Sequence, residues 1–210
     1  MTFIRPVRPA DASGDVRDMY ERQEDYWGYV PNYAKAFSHR PEALARWGRL
    51  LAELRRPTDD RRFELVTFVA AYALKNSGCA LAHGKELASF IGEDAVVAIA
   101  NGREAEVLPD IDATIVEFAR QIAKDATKVT SGLVDRLKYR HDLTDAEVFD
   151  IAALAAGRAF FAKLLDGLGV ETDRTWKVLN ADFRKNLSIG RPMDLREPEQ
   201  LSGEHAACHR

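Results

Sequence analysis

The chain is poor in the features that mark several common protein classes. It has two cysteines among 210 residues, which excludes a disulfide scaffold. Its longest apolar run, Leu65 to Leu74, is about half of the ~20 residues that a bilayer-spanning helix needs. Its formal net charge of −3 lacks the basic excess that binds nucleic acid, and no zinc-finger or glycine-rich phosphate motif occurs. We therefore expect neither a membrane nor a nucleic acid as partner.

What the sequence does contain is typical of a globular protein. Hydrophobic residues make up 46% of the chain and charged residues 30%, which suffices for one large core or two small ones. Arg5 and Arg8 are not followed by an apolar segment before Asp11, so the sequence predicts no secretory signal. We expect a cytoplasmic protein, whose reducing surroundings keep both cysteines as thiols.

Hydrophobic periodicity predicts helices along most of the chain. Pro41 suits a first helical turn, Thr58 is an N-cap candidate, and Thr144 with Glu147 forms a capping box. Because no useful period-two alternation occurs, we predict an all-α fold, with one domain over 1–190 and a loose tail over 191–210. The predicted helices cover about 41–55, 58–74, 79–92, 93–101, 110–131, 145–166 and 174–186.

A thiol and an imidazole, Cys79 and His83, lie four residues apart in one predicted helix. This spacing places both on one helical face, where a base beside a thiol favours a nucleophilic thiolate. The segment from Asn76 to Gly78 can cap the helix and leave free amides aimed at the sulfur, which predicts a lowered thiol pKa. The alternative is that Cys79 is a small buried hydrophobic residue and His83 a core or surface histidine.

Glu64 lies at the edge of the most apolar predicted helix. An ionised carboxylate in such a place needs a partner or must take up a proton. One interpretation is a surface ion pair with Arg61 or Arg62; the other is a functional contact. No metal site is predicted, because a structural zinc ion needs four ligands and the other histidines are scattered.

These residues resemble a known pattern. The segment with Glu64, Tyr72, Asn76, Cys79 and His83 resembles the alkylhydroperoxidase D-like group of the carboxymuconolactone decarboxylase superfamily, whose pattern is a glutamate followed by Cys-x-x-Cys-x3-His. As in the family, the glutamate is fifteen residues before the cysteine and the histidine four after it. The resemblance covers about 25–172, with flanking matches at 28–32, 38–42, 143–147 and 165–170.

The resemblance implies an alkylhydroperoxidase D-like helical bundle that forms a homo-oligomer and uses no cofactor. It implies that Cys79 attacks a hydroperoxide, with His83 as base or thiolate partner and Glu64 orienting His83. We also expect Tyr72 and Asn76 to line the pocket. A thiol then reduces the oxidised cysteine, as in antioxidant peroxidases.

Asn76 is a departure from the family, because it occupies the position of the first, resolving cysteine. The residue before the reactive cysteine, a histidine in some relatives, is Gly78 here. Either an external thiol or Cys208 in the tail must then resolve the sulfenic acid. The alternative for Cys208 is that it has no role. Two other functions stay open: a carboxymuconolactone decarboxylase-like lyase that uses Glu64 and His83 for acid–base chemistry on a lactone, and an inert oligomeric module.

Overall fold

The computed structural model describes residues 2–191 and Met193. Within these residues the secondary structure is helical throughout and contains no β-strand, which confirms the predicted all-α class. The α-helices are α1, Gly14–Trp27; α2, Asn32–Ala36; α3, Pro41–Arg55; α4, Asp60–Ala73; α5, Ser77–Ile91; α6, Glu93–Ala100; α7, Glu104–Val107; α8, Asp110–Asp125; α9, Ser131–Asp135; α10, Asp145–Gly167; and α11, Ala181–Leu187.

Helix α4 is the central element of the main core. It packs against α5, α8 and α10, and every residue from Phe63 to Ala71 is buried. This agrees with a helix that is apolar nearly all round, because such a helix needs neighbours on several sides. Each large apolar side chain on α4, such as Leu65 or Phe68, contributes about 1.5–3 kcal/mol by leaving water. The core therefore holds α4 rigidly.

A tight turn joins α4 to α5. Helix α4 ends at Ala73, Lys75 adopts a left-handed backbone conformation with φ of 61°, and Asn76 caps α5. The Asn76 amide donates to the Ala71 carbonyl, and the Asn76 side chain accepts from the Cys79 amide. The turn therefore folds the first turn of α5 back against α4.

A second apolar cluster connects the N-terminal helices to α10. It contains Met19 and Tyr20 of α1, Trp47 of α3 and Phe161 of α10, together with Cys79. The Trp47 and Phe161 rings stack with centroids 5.8 Å apart. Aromatic pairs of this kind stabilise a contact beyond the area they bury. This cluster places a layer of aromatic side chains beside the start of α5.

Several predicted boundaries need correction. The N-cap of α4 is Asp59, not Thr58, because the Asp59 carboxylate accepts from the Arg62 amide. Helix α8 ends at Asp125, whose side chain accepts from the Thr127 amide and starts a 3-10 turn. The predicted helix over 174–186 is two pieces, because Asn180 caps a separate α11. Helix α1 was not predicted, whereas the capping box at Thr144 is present as expected.

Candidate active site

The packing of α4 on α5 brings Glu64 and His83 together. A hydrogen bond of 2.7 Å joins the Glu64 Oε2 and His83 Nδ1 atoms, and both side chains are largely buried. When Glu64 is ionised, Nδ1 donates this bond, so a neutral His83 presents an unprotonated Nε2. The surface-pair interpretation of Glu64 is therefore wrong: Arg61 binds Asp112, and Arg62 binds Asp59 and Glu147.

Cys79 occupies the first turn of α5 and is 7% exposed. Its own amide donates a 2.8 Å hydrogen bond to the Asn76 Oδ1 atom. The expectation of free amides aimed at the sulfur therefore fails for the Cys79 amide, because the N-cap uses that donor. Asn76 occupies the position of the missing cysteine and closes the N-terminus of α5 instead.

Arg158 of α10 is a site residue that sequence reasoning missed. It is 4% exposed, and its Nη1 atom lies 3.7 Å from the Cys79 sulfur. Its guanidinium also lies over the Phe161 ring, with Cζ 5.6 Å from the centroid. A signal was available, because Leu154, Arg158 and Phe161 share the helical spacing of the buried stripe of α10. A charged residue within such a stripe indicates a specific partner.

Burial controls the protonation of the thiol and the imidazole. Burial raises the pKa of the Cys79 thiol from its ordinary 9.0, while Arg158 lowers it and Asp166 raises it. The predicted lowering of the thiol pKa is therefore wrong, because desolvation outweighs the nearby cation. Burial and then Arg158 lower the pKa of His83 from 6.5, against the opposing effect of Glu64. At neutral pH the cavity therefore holds a protonated thiol and a neutral imidazole.

A cavity of about 510 Å³ brings these groups into one space. Its polar wall includes Glu64, Asn76, Cys79, His83 and Arg158. Its other walls are strongly aromatic, and the rings among its lining residues are Tyr26, Trp27, Tyr29, Tyr33, Trp47, Phe63, Phe161 and Trp176. This volume suits a small organic molecule, and the aromatic walls suit one with an apolar body.

One predicted site residue that the structure describes is not in this arrangement. Tyr72 does not line the cavity: its ring packs on Phe68, and its hydroxyl donates to the Asn186 carbonyl over 3.4 Å. It lies on a side of α4 that faces the C-terminal segment, so the structure does not bring it into this cavity. Cys208 lies outside the described residues.

Neither a metal centre nor a membrane span is found in the part of the chain that the structure describes. No group of three or more histidine, cysteine, aspartate or glutamate side chains there could hold a metal ion. No helix within residues 2–191 combines the length and apolarity that crossing a bilayer needs.

The fold is that of the alkylhydroperoxidase AhpD core. No protein-family model and no curated protein matches the sequence, whereas solved structures match over most of its length. An uncharacterized peroxidase-related protein from Ralstonia eutropha JMP134, described as an alkylhydroperoxidase AhpD core, is 19% identical with a TM-score of 0.66. The alignment covers 90% of this chain and 98% of that one.

Two further solved structures share this fold. A peroxidase-related protein from Silicibacter sp. TM1040 is 17% identical with a TM-score of 0.68, over 84% of this chain and 94% of that one. The C82A variant of the debrominase Bmp8, in complex with 2,3,4-tribromopyrrole, is 12% identical with a TM-score of 0.70. The alignment covers 89% of this chain and 98% of that one. At these identities the similarity establishes the AhpD-like fold and leaves the reaction to be argued from the site.

Proposed function

We propose that this protein is a thiol-dependent reductase of organic hydroperoxides with a one-cysteine site. The observation that carries the proposal is the placement of the Cys79 thiol, the Arg158 cation and the Glu64–His83 pair around one cavity. The peroxidase-related neighbours of the same fold support it. An aromatic-walled cavity of about 510 Å³ favours an organic hydroperoxide over hydrogen peroxide alone.

The proposed reaction begins with a protonated thiol. His83 Nε2 takes the Cys79 proton as the sulfur attacks the terminal oxygen of the hydroperoxide, and the O–O bond breaks. His83 then returns the proton to the leaving alkoxide, so Cys79–SH and R–OOH become Cys79–SOH and R–OH. Arg158 stabilises the negative charge that develops on sulfur, and Glu64 stabilises the transient imidazolium.

A second thiol must complete the cycle. It attacks the sulfenic acid and releases water, and a further thiol reduces the resulting disulfide back to Cys79–SH. Since Asn76 cannot form a disulfide, we propose a small external thiol as this reductant. Cys208 is the other candidate, because the preceding chain reaches the site: Gly190 donates to Ser77 Oγ, and Arg191 lines the cavity.

The test is thiol-dependent consumption of cumene hydroperoxide with dithiothreitol as reductant. We expect turnover by the native protein and its loss in Cys79→Ser. The Cys208→Ser variant separates the two resolving routes: retained turnover supports the external thiol, and trapping of an intramolecular disulfide in the native protein supports Cys208. Full turnover by Cys79→Ser would refute the proposal.

A second candidate is a lyase that uses the Glu64–His83 pair for proton transfer on a lactone. The 2.7 Å hydrogen bond between these residues favours it, because the pair can act without the thiol. Turnover of a carboxylated lactone should then persist in Cys79→Ser and disappear in His83→Ala. Because one neighbour of the same fold is a debrominase, bromide release from 2,3,4-tribromopyrrole belongs in the same screen. Inactivity in every assay would favour the inert module.

A further inference from the structure

The Arg158 guanidinium lacks a direct counterion. Its side chain is 4% exposed, yet it forms no ion pair with any described residue. Its Nη1 atom points to the Cys79 sulfur, and its Nε atom is the one buried side-chain nitrogen or oxygen in the described part that lacks a hydrogen-bond partner. Glu64, the buried carboxylate of the same cavity, is bonded to His83 instead.

This arrangement is costly unless a ligand completes it. Native proteins pair almost every buried charge, because an unpaired charge keeps its desolvation penalty. The Cys79 thiol cannot supply the missing charge while it carries its proton. A guanidinium can present two parallel donors with the spacing of a carboxylate, and Arg158 lines the cavity. The missing partner is therefore expected to be a carboxylate that enters through the cavity.

The rest of the cavity indicates what the carboxylate is attached to. Trp47 and Phe161 stack beside Arg158, and Tyr33 packs edge-on against Phe161 with centroids 5.5 Å apart. These rings are among the residues that line a space of about 510 Å³. An aromatic body of one or two rings fits such a space.

We propose that Arg158 binds the carboxylate of an aromatic organic acid whose ring lies against Trp47 and Phe161. The proposal rests on the proposed function in one respect: the bound acid is the substrate, or its product, and its reacting group is directed at Cys79. Binding itself requires no reaction, so the two proposals can fail separately.

The experiment compares a matched pair of probes, 3-phenylpropanoate and 3-phenylpropanamide, by isothermal titration calorimetry on the reduced full-length chain at pH 7. The probes have the same shape and differ in charge. We expect the acid to bind at least about tenfold more tightly than the amide, as a charge-assisted bidentate contact predicts. The acid should also slow alkylation of Cys79 by N-ethylmaleimide, which locates binding in the cavity. Equal affinities, no binding of either probe, or tight binding without protection of Cys79 would each overturn the proposal.

Variants assign the preference to Arg158. The Arg158→Gln variant should bind acid and amide equally, and Arg158→Lys should recover part of the preference because it keeps the charge. The matched control is Arg55→Gln, since Arg55 also lines the cavity but already binds Asp60. Its acid preference should equal that of the native protein. An acid preference that survives in folded Arg158→Gln would assign it to another group and overturn the inference.

These assays contain no hydroperoxide. An acid preference without any peroxide reaction would therefore retain the inference and reject the proposed function. Peroxide turnover without an acid preference would retain the proposed function and reject the inference.

Discussion

At the scale of single residues, opposing effects determine whether Cys79 and His83 are charged. Burial disfavours both the Cys79 thiolate and the His83 imidazolium, while Arg158 favours the thiolate and Glu64 favours the imidazolium. Because desolvation is the largest effect on each group, both are neutral at neutral pH. The charged pair then forms only as the thiol proton moves to His83. Arg158 and Glu64 are already in place to stabilise it.

The first prediction concerns the ionisation of Cys79. In the Cys208→Ser background, the rate of Cys79 alkylation by iodoacetamide should rise with pH to a midpoint above 9.0, because burial raises the thiol pKa. Arg158→Gln should move the midpoint further up, since Arg158 is the main opposing influence. The control Arg158→Lys should move it less. A midpoint below 9.0 in the protein with native Arg158 would contradict the conclusion that burial outweighs Arg158 in setting the thiol pKa.

The second prediction concerns the role of Glu64. Replacing Glu64 with glutamine removes the carboxylate that holds His83 Nδ1, so the proton transfer from Cys79 should slow by about tenfold or more without disappearing. Stopped-flow measurement of the cumene hydroperoxide reaction gives this rate. Glu86→Gln is the matched control, because Glu86 lines the cavity and binds the exposed Lys85, and its effect on the His83 pKa is smaller than that of Glu64. Equal rates for Glu64→Gln and the native protein would remove Glu64 from the mechanism.

How far the site could be predicted differs from residue to residue. The spacing of Glu64, Cys79 and His83 was readable in the sequence, because a short turn between adjacent helices preserves neighbour relations. Arg158 lies 79 residues beyond Cys79, and its contact with the sulfur depends on how α10 packs. The thiol pKa was mispredicted for a related reason: local sequence indicated the helix N-terminus, but only tertiary packing determines how deeply the sulfur is buried.

At the scale of elements, the close contact of α4, α5 and α11 holds the site in place. Gly84 of α5 makes this contact possible, because a Cβ atom there would press against Leu187 of α11 and lie 3.2 Å from the Phe68 ring. Leu187 and Phe68 are both fully buried, so neither can move away easily. The approach of α5 to α4 in turn sets the distance between His83 and Glu64.

The third prediction follows from this contact. Gly84→Ala should lower the free energy of unfolding by about 1–3 kcal/mol, because the added methyl group overpacks the core. Gly48→Ala is the matched control: Gly48 lies within α3 with open space around it, so alanine should raise stability by about 0.5–1 kcal/mol. Urea denaturation measures both values. A stabilising Gly84→Ala would show that the helices are not in this close contact.

Some helix boundaries are determined by the local sequence, and others by how the helices pack. The start of the helix at Pro41 and the capping box at Thr144 were predicted correctly, because both depend on residues within one turn. Asp59 and Asn180 were missed as caps, although each was a permissible N-cap residue in the sequence. Choosing between neighbouring cap candidates depends on the direction in which the chain enters the helix, and packing determines that direction.

At the scale of the whole molecule, the buried His83 should make stability depend on pH. Its folded pKa is lowered by burial, so below its ordinary 6.5 the unfolded chain takes up a proton that the folded protein resists. The free energy of unfolding should therefore fall as the pH drops from about 6.5 through the lowered folded pKa. The slope from this one group is at most about 1.4 kcal/mol per pH unit.

The difference between native protein and His83→Gln, measured by urea denaturation across pH 4–8, isolates this contribution from that of the carboxylates. We expect the gap in stability to shrink on acidification. A gap for His83→Gln that grows on acidification would indicate a raised pKa and a charged histidine in the fold. The expected homo-oligomer stays a prediction at this scale.

The most direct test of the central claim is trapping of the sulfenic acid on Cys79. The Cys208→Ser protein contains a single thiol, so intact-mass spectrometry after cumene hydroperoxide and dimedone reports on Cys79 alone. We predict one dimedone adduct per chain, mapped to the peptide with Cys79 and absent without peroxide. A folded protein whose Cys79 stays unmodified under these conditions would contradict the proposed reaction.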